Sequence, residues 1–323
     1  MKLPPFPDVP TAPIASVRYE NLMTDADKVF EACSTDGFFY LDLTGHPILE
    51  QAEGLRELAV KAFDHPVEEK NKYHLVRGQS MAGYKAAGTR KQTDSTLRPD
   101  TTEFFNIYTD HAHGFTPSRE YPPDLTTSES WTLIKEFSHD AHRLGNEILS
   151  ILATQLDISP SEFTSRNIFG NPSGSHIRLT RKFPHEGEDA IGLPSHTDFG
   201  SITILFNWLG GLQIQHRGEW KYIQPLSNHA IINLGDATVR FTNGALLSAK
   251  HRVVPAPGEQ ANVDRYSIVY FVRPGDDVLM KPIEKFVTDD GSWKKVAGKF
   301  EEDQSTVLTA KEWIRRRAAQ LGS

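Results

Sequence analysis

The pattern of apolar and polar positions divides the chain into a helical first half and a strand-rich second half. Apolar residues recur at helical spacing in three segments of the first half and again at the end of the chain. This spacing predicts helices over 24–36, 47–63, 128–156 and 309–321. We therefore expect the first half to be a mainly helical scaffold.

The second half consists of short runs rich in β-branched and aromatic residues, which Gly, Pro and Asn separate. The predicted strands are 14–17 and 38–41 in the first half, and 175–181, 201–206, 212–216, 220–223, 230–234, 252–254 and 266–272 in the second. Many short strands without intervening helices indicate an antiparallel sandwich or barrel. We predict an α+β fold with a double-stranded β-helix (jelly-roll) core.

The expected organisation is a single unit over 1–323 with three parts. These parts are a helical N-terminal region (1–160), a jelly-roll core (161–308) and a C-terminal helix (309–323).

The overall charge narrows the range of partners. The chain has 323 residues, with 35 Lys and Arg against 42 Asp and Glu, so its net charge is -7. Nucleic acids and anionic membranes would find no basic face by default, and we expect a small-molecule partner instead. The apolar runs are strand-sized, far short of the roughly 20 residues that a membrane span needs. The single Cys33 and the proline-rich start favour a cytoplasmic protein. The oligomeric state stays open.

A set of five residues carries the candidate chemistry. His196-x-Asp198 is predicted to open a strand, where the period of two puts both side chains on one face. His251 begins another predicted strand, which a jelly roll can bring beside the first. Two His and one carboxylate leave coordination positions open, as non-haem Fe(II) oxygenases require. Arg265 and Ser267 share one face of the last apolar strand, and this pair suits a bound carboxylate.

The order of these five residues resembles that of the iron(II)/2-oxoglutarate-dependent dioxygenases of the isopenicillin-N-synthase-like branch, especially its fungal members. Further segments that resemble the family are 32–39, 63–70, 211–213 and 233–236. The resemblance implies that His196, Asp198 and His251 bind Fe(II). It implies that Arg265 and Ser267 hold the distal carboxylate of 2-oxoglutarate, with dioxygen as the other cosubstrate. The implied activity is oxidation of a small-molecule secondary metabolite by hydroxylation, desaturation or ring rearrangement, giving succinate and CO₂.

One departure from the family concerns the oxoacid site. Relatives usually carry a Tyr-Pro pair before the His-x-Asp motif, and the tyrosine hydroxyl meets the oxoacid. Here the corresponding pair is taken as Phe183-Pro184, which has no hydroxyl. Three alternatives follow: Lys182 replaces the tyrosine, Arg181 replaces it, or the carboxylate rests on Arg265 and Ser267 alone.

Three aromatic residues are candidate substrate contacts. Phe271 lies six positions after Arg265 on the same alternating face, so it is predicted to point into the cavity. Phe206 is a second candidate, with a core role as its alternative. Tyr84 lies in a predicted long loop, 77–102, which the resemblance places near the mouth of the site. The basic residues of this loop are Lys85, Arg90, Lys91 and Arg98. They favour an anionic or phenolic substrate, unless the loop is simply solvated.

Three other functions compete with this interpretation. An iron oxidase that does not use 2-oxoglutarate would employ Arg265 and Ser267 for a substrate carboxylate. A ligand-binding relative without turnover would have no use for open metal positions. A hydrolytic zinc site would leave Arg265 and Ser267 unexplained.

Overall fold

The structure is a computed structural model that describes residues 3–76, 80–89, 99–184, 191–288 and 307–320. The α-helices in these ranges are α1 (Ala26–Thr35), α2 (Ile48–Asp64), α3 (Val67–Asn71), α4 (Thr109–His113), α5 (Pro123–Thr126), α6 (Ser128–Gln155), α7 (Ser161–Thr164), α8 (Asp236–Phe241) and α9 (Ala310–Gln320). Short 3₁₀ helices cover Tyr19–Asn21, Gly258–Asn262 and Glu284–Phe286. The four predicted helices are confirmed, and their ends differ from the prediction by at most two residues. Across the described ranges, none of these helices is both long and apolar enough to cross a membrane.

The strands of the described residues form two sheets. They are β1 (Ser16–Arg18), β2 (Phe38–Asp42), β3 (Gly83–Lys85), β4 (Thr102–Tyr108), β5 (His176–Lys182), β6 (Leu193–His196), β7 (Ile202–Asn207), β8 (Leu212–His216), β9 (Glu219–Tyr222), β10 (His229–Leu234), β11 (His251–Val253) and β12 (Arg265–Val272). The larger sheet has the order β1-β2-β10-β7-β12-β5-β4-β3, and the smaller has the order β6-β11-β8-β9. Only the β1–β2 pair of these ladders is parallel. The predicted α+β jelly-roll fold is confirmed.

The two faces of the larger sheet have different neighbours. Its inner face packs against the smaller sheet, where Leu205 of β7 and Leu212 of β8 belong to one buried cluster. Its outer face packs against α2 and α6. Strand alternation sends Ile204 and Phe206 of β7 to this helical side. The candidate cavity therefore lies between the sheets, and the helices support it from behind.

The first half contributes more strand than the sequence predicts. β1 to β4 all join the larger sheet, so the loop prediction for 77–102 is wrong at β3, and β4 was not predicted. β4 contains polar residues that interrupt the apolar pattern of a strand, and the residues that pair with them are distant in the sequence. Glu103 accepts a hydrogen bond from Lys70 (2.9 Å), and Asn106 accepts one from Arg178 (2.8 Å). Residues 77–79 and 90–98 of the predicted loop lie outside the described residues.

Candidate active site

The two histidines of the predicted triad face each other across a strand pair. His196 ends β6, His251 begins β11, and the two are direct partners in the ladder. Their ring centroids are 4.3 Å apart. The prediction that Asp198 shares a strand with His196 is wrong, because β6 ends at His196. Asp198 lies instead in the turn between β6 and β7.

A close backbone contact holds this turn in place. A Cβ atom at Gly235 would lie 2.1 Å from the carbonyl oxygen of Gly200, so only glycine fits there. The Asp236 amide, at the start of α8, donates to the Asp198 carbonyl oxygen (2.8 Å). The Thr197 hydroxyl donates to the Asp236 carboxylate (2.8 Å). The segment after β10 therefore fixes the turn that carries Asp198.

The side-chain atoms of the triad are arranged as metal ligands. The Nε2 atoms of His196 and His251 each lie 3.7 Å from Oδ1 of Asp198. Within the described ranges, this is the only group of three or more His, Cys, Asp or Glu residues whose ligand atoms converge in this way. Each Nδ1 lies beside a backbone carbonyl, at 2.8 Å from Pro194 O and 3.2 Å from Ala249 O. A carbonyl only accepts, so Nδ1 carries the proton and Nε2 keeps its lone pair for a metal.

Two residues that the sequence analysis missed orient the carboxylate. The Thr203 hydroxyl and the Asn233 amide both donate to Oδ2 of Asp198, at 2.7 and 2.8 Å, which leaves Oδ1 facing the histidines. Burial raises the pKa of Asp198, but His251, His196 and these two donors more than offset it, so the pKa lies below its ordinary value. Burial lowers the pKa of His196 to about 3.

At neutral pH the site therefore presents a carboxylate and a neutral His196 imidazole, the protonation states that a divalent cation requires. The donor set fits Fe(II). A sequence signal for the two missed residues exists. Thr203 and Asn233 are polar residues inside the apolar strands β7 and β10.

The triad opens onto a cavity between the two sheets. Its lining residues are Phe38, Thr102, Phe104, Arg178, Thr180, Lys182, Leu193, His196, Asp198, Thr203, Leu205, Leu212, Asn233, His251, Val253, Arg265, Ser267, Val269 and Phe271. The structure thus brings the predicted Arg265, Ser267 and Phe271 into one cavity with the predicted metal ligands.

Arg265 is a buried cation at one end of this cavity. It is 3% exposed, and its Nε donates to the Gly210 carbonyl oxygen (2.6 Å). A terminal nitrogen donates to the Ser267 hydroxyl (3.4 Å). Burial lowers the pKa of Arg265 to about 10, so the side chain remains charged at neutral pH. No carboxylate of the described residues forms an ion pair with it, which suits a ligand that brings its own carboxylate.

The opposite end of β12 carries an aromatic wall. Phe271 stacks on His176, with ring centroids 4.7 Å apart. The Arg178 guanidinium lies between two rings, 4.3 Å from the centroid of Phe104 and 5.0 Å from that of Phe271. Arg178 and Phe104 are not among the site residues predicted from the sequence. Flat, apolar surfaces with one cation suit the binding of a small organic substrate.

Two other predicted substrate contacts lie outside the cavity. Phe206 points to the helical side of its strand, where its ring centroid is 5.9 Å from that of Phe137. Tyr84 is 1% exposed in β3, its ring centroid is 4.8 Å from that of Phe105, and its hydroxyl donates a hydrogen bond to Glu103. Both residues are core residues here, and we propose no substrate contact for either.

The residue that corresponds to the missing tyrosine is Lys182 and not Phe183, one position earlier than expected. Phe183 lies beyond the end of β5, with its ring 4.5 Å from the Arg181 guanidinium and outside the cavity. Arg181 faces the opposite side and donates to Glu103 (2.6 Å). Lys182, between them, is the residue that lines the cavity.

Lys85, the one described basic residue among the four of the predicted loop, gives little support for an anionic substrate. Lys85 forms an ion pair with Asp100 and donates to the Thr102 carbonyl oxygen (2.7 Å). Its charge is therefore already compensated by the protein. Arg90, Lys91 and Arg98 lie outside the described residues.

Comparisons with known proteins agree with this geometry. Residues 174–274 match the 2OG-Fe(II) oxygenase superfamily, and residues 9–129 match the N-terminal region described as non-haem dioxygenase in morphine synthesis. A 2-oxoglutarate-dependent dioxygenase of Aspergillus fumigatus is 30% identical over 314 residues, which cover 87% of this chain and 80% of the relative.

Two solved structures share the fold. A full-length Neurospora crassa protein, solved in complex with alpha-KG and thymine, superposes with a TM-score of 0.76 at 22% identity, covering 95% of this chain and 96% of the other. JOX2 in complex with 2OG, Fe and JA gives a TM-score of 0.74 at 22% identity, covering 94% of this chain and 85% of the other.

Proposed function

Because the chain belongs to the 2OG-Fe(II) oxygenase superfamily, we propose that it oxidises a small-molecule secondary metabolite with Fe(II), 2-oxoglutarate and dioxygen. As a member of this family, the chain is a non-haem iron, 2-oxoglutarate-dependent dioxygenase. Hydroxylation is the default reaction, with desaturation and ring rearrangement as variants, and succinate and CO₂ are the coproducts. One observation carries the proposal: the His-Asp-His set and the buried Arg265 open onto one cavity.

Each part of the cavity has a distinct role in this proposal. His196, Asp198 and His251 hold Fe(II), which when bound supplies the reactivity toward dioxygen that side chains lack. Arg265 and Ser267 bind the distal carboxylate of 2-oxoglutarate and so orient its keto-acid end toward the triad. The apolar walls between these two ends exclude water from the reacting groups.

The substrate is expected at the aromatic end of the cavity. Phe271 and Phe104 offer ring faces there, and Arg178 lies between them. The ligands of the two solved structures, thymine and JA, support a small organic molecule as the substrate, and the Aspergillus fumigatus relative is a 2-oxoglutarate-dependent dioxygenase.

The test is a substrate screen with product analysis. The purified enzyme is supplied with Fe(II), 2-oxoglutarate and oxygen, and succinate and oxidised products are measured over a panel of fungal metabolites. We expect substrate-dependent succinate in the wild type and none in Asp198→Asn, which keeps the side-chain volume.

The other outcomes contradict the proposal. Oxygen-dependent product without succinate would identify an iron oxidase that does not use 2-oxoglutarate. Tight metabolite binding with no product would identify a relative without turnover.

A further inference from the structure

The end of the cavity that contains Arg265 is built from three neighbouring strands. In the ladder, Lys182 of β5 is the direct partner of Thr102 in β4 on one side and of Arg265 in β12 on the other. All three side chains line the cavity, together with Ser267. Adjacent strands lie about 4.8 Å apart, so the three positions form one row across the sheet.

This row contains two buried cations. Lys182 and Arg265 are each 3% exposed. The Lys182 ammonium donates to the Phe183 carbonyl oxygen at 3.3 Å. Among the described residues, neither cation forms an ion pair with Asp or Glu. Two neighbouring positive charges away from water are unfavourable, and an anion between them would remove this penalty.

The third member of the row has an unused hydrogen-bonding group. The Thr102 hydroxyl is buried and has no hydrogen-bond partner among the described residues. Buried hydroxyls are nearly always paired, so an orphan that faces a cavity points to a ligand atom. A carboxylate has about four lone-pair sites on its two oxygens and can accept from several donors at once.

We propose that Lys182 and Thr102 complete the site for the distal carboxylate of 2-oxoglutarate, beside Arg265 and Ser267. The inference rests on the proposed function. Lys182 replaces the tyrosine hydroxyl that meets the oxoacid in relatives, but it binds the carboxylate as a positively charged ammonium group. The carboxylate is then held by two cations and two hydroxyls, and its affinity depends on the protonation of Lys182.

The direction of this pH dependence follows from the charges around Lys182. Burial, and secondly Arg265, lower the pKa of Lys182 to about 8. Of the described charged residues, Lys85 donates to the Thr102 carbonyl oxygen and pairs with Asp100, and Arg178 of the same strand lines the same cavity. A bound carboxylate favours the ammonium form and raises this pKa. The affinity for 2-oxoglutarate should therefore be full below about pH 8 and fall as the pH rises above it.

The experiment measures 2-oxoglutarate binding to the Fe(II) enzyme without oxygen, by calorimetry and by the charge-transfer band of the complex. We expect Lys182→Met to weaken binding about 10–100-fold at pH 7 and to abolish its pH dependence. Lys182→Arg should retain most of the affinity. Thr102→Val should weaken binding about 3–10-fold.

Two control variants and one control ligand separate a local role from a general loss of structure. Thr101→Val removes a neighbouring buried hydroxyl that also lacks a partner within the described ranges but does not line the cavity, and it should leave the dissociation constant unchanged. Phe183→Tyr should likewise have no effect. 2-Oxobutanoate, which lacks the distal carboxylate, should bind the wild type and Lys182→Met equally.

The outcomes distinguish the inference from the proposed function. If the wild type binds no 2-oxoglutarate, both fail. If the wild type binds it and Lys182→Met stays within twofold, the inference fails and the proposed function stands. If Lys182→Met does not fold, the wild-type pH profile and Thr102→Val decide, and a flat profile between pH 6.5 and 9.5 overturns the inference.

Discussion

Replacing Thr203 by valine removes one of the two hydrogen bonds that orient the predicted carboxylate ligand. The hydroxyl donates to Oδ2 of Asp198 at 2.7 Å, and the Asn233 amide donates to the same atom at 2.8 Å. Valine has nearly the same shape as threonine, so the cavity wall keeps its volume. The expected effect is therefore on the position of the carboxylate and not on the packing of β7.

The magnitude follows from where the hydrogen bond acts. A bond to a buried charge contributes about 1.5–3 kcal/mol, but here it exists both with and without the metal. The metal affinity therefore changes only by the share of this free energy that orients Oδ1 toward His196 and His251. Losing such an outer hydrogen bond typically weakens metal binding about 10–100-fold, and with Asn233 still in place we expect about tenfold.

The assay is an anaerobic titration of the metal-free protein with Fe(II), in competition with a chelator of known affinity. Ser201→Ala is the matched control, because it removes a buried hydrogen bond to Asn167 (2.7 Å) in the same region without touching Asp198. A loss below twofold in Thr203→Val, or an equal loss in Ser201→Ala, would refute the reasoning.

Three further changes test other parts of the structure. Arg265→Met should weaken 2-oxoglutarate binding by about 2–5 kcal/mol, because a buried carboxylate loses its bidentate partner, and calorimetry without oxygen measures this. Gly235→Ala should lower the free energy of unfolding by about 1–3 kcal/mol, since the new Cβ meets the Gly200 carbonyl oxygen; a denaturant curve equal to the wild type would contradict this. Phe206→Ala should lower the free energy of unfolding by about 3–5 kcal/mol, while the folded fraction still binds Fe(II) and 2-oxoglutarate. A loss of ligand binding without a loss of stability would show instead that Phe206 contacts the ligands in the cavity.

The sequence predicted the candidate site well where the residues belong to an ordered motif. It predicted the site less well where the alternation of side chains along a strand determines which face a residue occupies. His196, Asp198, His251, Arg265 and Ser267 converge as expected, although a turn and not a strand carries Asp198. Their roles as ligands stay a prediction that the experiments above address.

The alternation of side chains along a strand explains why some residues were predicted on the wrong face of the sheet. A shift of one position along a strand exchanges the two faces of a sheet, and neither the end of β5 nor the register of β7 can be read from one sequence. Lys182 therefore faces the cavity where Phe183 was expected, and Phe206 faces the helices. The pairing of β4 with β5 depends on partners such as Arg181 and Glu103, which only the folded chain brings together.

The position of β2 and β4 within the larger sheet has a consequence for how the chain folds. β2 pairs with β10, and β4 pairs with β5, so strands from the first half border the second half on both sides. These contacts are distant in sequence, which predicts slow folding, because long loops must close before the strands gain any stabilisation. A fragment that begins at residue 161 would leave the edges of β5 and β10 unpaired. Such edges recruit other chains, so we expect this fragment to aggregate instead of forming an isolated catalytic core.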